Sequence, residues 1–70
     1  MSTHTMYKAS SPYYQAILAR YGRNLAPDTV RTILAEHGVE ESDYLGDPYV
    51  ALGALPEHTD AADLLVWLGY

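Results

Sequence analysis

One phrase is written twice in this chain. Residues 17–22 read Ile-Leu-Ala-Arg-Tyr-Gly and residues 33–38 read Ile-Leu-Ala-Glu-His-Gly. A hexamer that keeps Ile, Leu, Ala and Gly in register is the closing turn and a half of a helix. Ile and Leu supply two core side chains, Ala permits a close crossing, and Gly accepts the left-handed conformation of a helix exit. Extended backwards, the first copy gives Tyr14, Ile17, Leu18 and Tyr21 at i, i+3, i+4 and i+7, one helical face. Ser10-Ser11 before Pro12 is its start signal, since serine caps free N–H groups and proline is tolerated in a first turn. The second copy extends back to Pro27 through Val30, Ile33, Leu34 and His37. Leu25 is placed to staple onto Val30, and Val39, just past Gly38, to touch Leu34 as a Schellman exit favours. Ala26 stands where a cap belongs and cannot serve as one, which leaves Asn24 as the alternative. Together the two copies predict an αα-hairpin with a short connection over residues 22–26.

The rest of the chain predicts two further helices. Residues 40–47 read as an acidic connection. Asp47-Pro48 repeats the start signal, and Tyr49, Val50 and Leu52 follow before Gly53 and Pro56 stop a helix of about two turns. Thr59 or Asp60 then caps a last helix with the stripe Ala61, Leu64, Leu65 and Leu68 and its exit at Gly69. Residues 64–68 are five apolar residues in a row and also fit a short buried strand; the Asp-Ala-Ala-Asp lead-in favours helix. The fold expected is all-α, a small single-domain bundle of about four short helices over residues 10–70, preceded by a flexible N-terminal arm at residues 1–9. Its core would hold Leu18, Leu25, Val30, Ile33, Leu34, Leu52, Leu64, Leu65 and Leu68.

Seventy residues bury only about 60% of the surface of the unfolded chain, so stability is marginal. Without cysteine neither a disulfide nor a thiolate zinc site can help, and self-association is a further route to burial. The first nine residues lack the apolar core of a secretory signal, and no run reaches the ~20 residues of a membrane span. A cytoplasmic protein, with no membrane partner, is expected.

Chemistry-bearing motifs are scarce. There is no cysteine nucleophile, no serine in a nucleophile elbow and no glycine-rich phosphate loop. Glu40 and Glu41 are paired acids in a connection, where nothing drives their acidities apart as a working acid–base pair needs. His37 with Glu40 or Glu41, and His58 with Asp60, have local metal-like spacing but not three convergent ligands. Neither an enzyme nor a metal or cofactor site is expected.

Charge and aromatic usage say more. Residues 1–31 carry Lys8, Arg20, Arg23 and Arg31 against Asp28, a net of +3; residues 32–70 carry eight acids and no Lys or Arg, which brings the chain to −5. Four cations are a poor footprint for DNA, although helices one and two invite a helix-turn-helix reading with residues 27–37 as the recognition helix. There are seven Tyr and one Trp but no Phe, so every aromatic ring has a polar handle suited to interfaces. Glu36, Glu40, Glu41, Asp43 and Asp47 fall within twelve residues, with Tyr44 and Tyr49 inside or beside them. An acidic rim with aromatic anchors is how a docking edge for a basic protein would be written. Trp67 is the other anchor candidate; it lies over a quarter turn from the last helix's stripe, with core and outward placements both open.

The function expected is that of a small acidic protein-binding module, an inhibitor docking on the basic, nucleic-acid-binding surface of a larger protein, with no direct nucleic-acid contact of its own. In size and charge alone the chain is similar to phage-encoded inhibitors such as anti-CRISPR proteins, which would act in the host cytoplasm. The alternatives are a small helix-turn-helix transcription regulator and a small subunit or assembly factor of a larger complex.

Overall fold

The computed structural model describes residues 11–70; the expected N-terminal arm lies outside the described residues. The chain is mostly helical. Helix α1 spans Pro12–Tyr21, α2 Pro27–Glu36, α3 Glu41–Leu45 and α4 Ala61–Leu68, and two two-residue strands, β1 (Asn24–Leu25) and β2 (Thr59–Asp60), pair antiparallel. No helix among the described residues is long and apolar enough to cross a membrane.

The helix ends follow from the residues. Ser11 Oγ accepts the Tyr14 N–H at 3.1 Å and opens α1 ahead of Pro12. Gly38, at φ 69°, ends α2 in a Schellman motif: the Val39 N–H donates to Leu34 O and the Gly38 N–H to Ala35 O. Gly69, at φ 106°, closes α4 the same way, with the Tyr70 N–H on Leu65 O and the Gly69 N–H on Val66 O. Asp60, not Thr59, caps α4 through the Asp63 N–H, and residues 64–68 are helix, not strand.

Two expectations of an all-α bundle need correction. First, the hairpin connection contains β1, which pairs Asn24 with Asp60 and Leu25 with Thr59. Asn24 is therefore a ladder residue, and Ala26 begins α2 with no side-chain cap. The pairing brings the start of α4 to the α1–α2 junction, and α1 packs against α4. Second, the third helix lies earlier than expected. Acids at positions 41 and 43 suit the positive end of a helix, Gly46 ends it, and Arg31 Nε ties it to α2 through Glu41 Oε1 at 2.7 Å. Residues 47–51 form only a single turn, closed by the Ala51 N–H on Asp47 O. Ala51 then takes a left-handed φ of 49°, which no helix can continue.

The core is Ile17, Leu25, Val30, Ile33, Leu34, Tyr44, Ala61, Leu64 and Leu65. Leu18 and Leu68, placed in the core by their spacing, are half-buried at its edge. Leu52 is 38% exposed and outside it, because the left-handed Ala51 turns the chain before it.

Candidate functional site

The shift of the third helix decides where the candidate residues go. With α3 helical, Tyr44 points inward and is only 4% exposed. Its ring meets Trp67 edge to face, centroids 4.9 Å apart. Burial first, and the nearby Asp63 charge second, push its phenol above the ordinary value of 10.0. Tyr44 is thus a core residue that carries Trp67, and not a free surface anchor.

Above this pair lies a groove of about 810 Å³. It is lined by Tyr44, Tyr49, Val50 and Leu52, by Pro56, His58 and Thr59, and by Ala62, Asp63, Val66 and Trp67. The last four lie on one face of α4, because positions 62, 63, 66 and 67 recur at helical spacing. The large apolar side chains left open on the described surface all belong here: Tyr49 is 96% exposed, Val66 54%, and Leu52 as above. Trp67 is half-buried, between its two anticipated placements. Asp60 and Asp63 rim the groove. Both Asp60 oxygens are engaged, Oδ2 by the Asp63 N–H and Oδ1 by Arg23 at 3.7 Å; the Asp63 carboxylate has no such cation partner among the described residues. Thr59 lines the groove but is itself buried, and its Oγ1 has no hydrogen-bond partner among the described residues.

The anticipated acidic edge is divided by the fold. Tyr49 and Trp67 converge on the groove with Tyr44. Glu40 and Asp43 stand exposed at the start of α3, while Glu41 is held by Arg31. Asp47 Oδ1 accepts the Tyr49 N–H at 2.8 Å and orders the turn that presents the Tyr49 ring. Glu36 belongs to a different cluster, where its carboxylate accepts from Tyr13 Oη at 3.4 Å. There Tyr13 stacks on Tyr70 at 4.7 Å, and both rings meet His37 edge-on. Since Ile33 O can only accept, His37 Nδ1 carries the hydrogen of their 2.7 Å bond, and Nε2 lies 2.8 Å from Tyr70 Oη. Every residue in this cluster is matched, so it ties α1, α2 and the end of α4 together.

Val66, Asp63, Thr59 and Leu52 were not anticipated as lining residues of a groove. Val66 did carry a signal, as an apolar residue one position off the buried stripe and in register with Ala62. Leu52 carried none, since only the φ of Ala51 sends it outward. Among the described residues no group of three or more His, Asp or Glu is placed to hold a metal ion.

No family model matches the chain, nor does any curated protein or solved structure.

Proposed function

We propose that this protein is a small acidic binding module that docks on a basic surface of a larger protein, and that occupying that surface inhibits nucleic-acid binding by its partner. One observation carries it: the half of the chain with eight acids and no Lys or Arg frames the described surface's open aromatic and aliphatic side chains. Apolar anchors supply affinity and a like-charged rim supplies on-rate and partner choice. In size and charge the chain is similar to inhibitors of the anti-CRISPR kind, and action in the host cytoplasm goes with that reading.

The arrangement of the arginines favours this over DNA binding by α2. Arg31 is held by Glu41 and by Asp28 at 3.1 Å, Arg23 pairs with Asp60, and Arg20 sits over the Tyr21 ring. Cations committed to carboxylates have less to offer phosphates.

Capture with tagged protein from the cells that encode it, washed at low and high salt and read by mass spectrometry, tests the proposal. The expected partner is basic, is released by salt, and loses its nucleic acid when this protein is added. Retardation of duplex DNA by this protein alone at physiological salt would overturn it in favour of the regulator.

A further inference from the structure

We propose that the groove between residues 44–58 and α4 receives an amphipathic, Lys- or Arg-bearing segment of the basic partner. One large apolar side chain of that segment sits against Tyr49, Val66 and Trp67, and a cation beside it meets Asp63. This rests on the proposed function above and names the face and the kind of segment.

Two observations lead there. Tyr49 at 96% exposure leaves the mouth unroofed, whereas a small ligand needs most of its surface enclosed. A segment lying along the groove suits an open trough of about 810 Å³. Next, Asp63 lines the groove without a cation partner among the described residues, and no Lys or Arg occurs anywhere in residues 32–70. That polarity fits a cationic segment. It also disfavours a second copy of this chain, which would bring two acidic rims together.

Trp67 is the only tryptophan and lines the site, so its emission reports occupancy. The probe is a synthetic peptide of about fourteen Leu and Lys residues with leucines at helical spacing; the control replaces Lys with Glu. The full-length protein should bind the Lys peptide saturably, with a shift in Trp67 emission that weakens with salt, and should ignore the Glu peptide. Val66→Glu decides between groove and bulk charge. It adds an acid at an exposed position, so simple attraction would strengthen binding, whereas loss of the apolar seat should weaken it by about tenfold or more. Glu40→Gln with Asp43→Asn, outside the groove, should leave affinity unchanged. Circular dichroism confirms that each variant is folded.

Absence of binding by the native protein overturns the groove proposal, as does unchanged or tighter binding by folded Val66→Glu. If the Glu40→Gln/Asp43→Asn variant alone loses affinity, the groove is wrong while the binding-module reading stands on the α3 edge. A Trp67 shift on concentrating the protein alone would assign the groove to a second copy. A shift caused by Lys8→Glu without peptide would assign it to the chain's own first ten residues. Either outcome overturns the proposal, and the capture experiment judges the broader function independently.

Discussion

Replacing Ala26 by serine should raise stability by about 1 kcal/mol, and the molecule contains its own calibration. Ser11-Pro12-Tyr13-Tyr14 and Ala26-Pro27-Asp28-Thr29 enter their helices with the same grammar. Both cap positions are extended, Ser11 at φ −61°, ψ 141° and Ala26 at φ −72°, ψ 159°. At the first, Oγ accepts the N–H three residues on, at 3.1 Å. At the second no side chain does so, and the Thr29 N–H is one of the free donors of a first turn. Position 26 is exposed, so the added hydroxyl displaces no packing. With an unfolding entropy of about 2.1 cal/mol/K per residue, a chain this short gains roughly 7 °C in Tm for each kcal/mol. Thermal denaturation by circular dichroism should therefore show Ala26→Ser several degrees above native, and Ser11→Ala lower by a similar amount. An unchanged or lowered midpoint for Ala26→Ser would refute the entry to α2 as described.

Other consequences are equally direct. Leu64 is fully buried, so Leu64→Ala should cost about 2–5 kcal/mol, much of what a domain this small has, and urea denaturation should show little folded protein left. Tyr44→Ala should likewise unfold the domain, at about 3–5 kcal/mol by analogy with Phe, whereas Tyr44→Phe should stay folded by circular dichroism. Thr59→Val removes a buried unmatched hydroxyl and should raise the thermal midpoint, with a gain of about 1 kcal/mol. The raised Tyr44 and Tyr13 phenols, held up chiefly by burial and then by Asp63 and Glu36 respectively, give stability that is complete below about pH 10 and lost as pH rises beyond it. The Tm should fall over that range, and less steeply in Tyr44→Phe.

The parts of the fold legible in the sequence were those fixed by local chemistry. The two Ile-Leu-Ala-x-x-Gly copies end helices as their glycines dictate, and the Schellman contact of Val39 with Leu34 follows from spacing alone. What escaped depends on distant partners. A two-residue strand such as Asn24–Leu25 has no periodicity to detect and exists because residues 59–60 lie beside it. Five-residue α3 is too short to show a stripe, and it is fastened by Arg31 from another helix. Once α3 formed where a loop was expected, Tyr44 turned inward and Leu52 outward. The groove's aromatic lining, Tyr44, Tyr49 and Trp67, was therefore legible by residue type, whereas the acids beside it are Asp60 and Asp63 and not Glu40 and Asp43.

The proposed location of a binding face is tested most directly by an NMR footprint of the Leu–Lys peptide on isotope-labelled protein. Amide shifts should concentrate at Tyr49, Leu52, Asp63, Val66 and Trp67, with the Trp67 indole N–H among the largest, while Glu40, Asp43 and Arg31 stay still. Shifts confined to Glu40, Asp43 and the start of α3, with a silent Trp67 indole, would contradict the groove as the site.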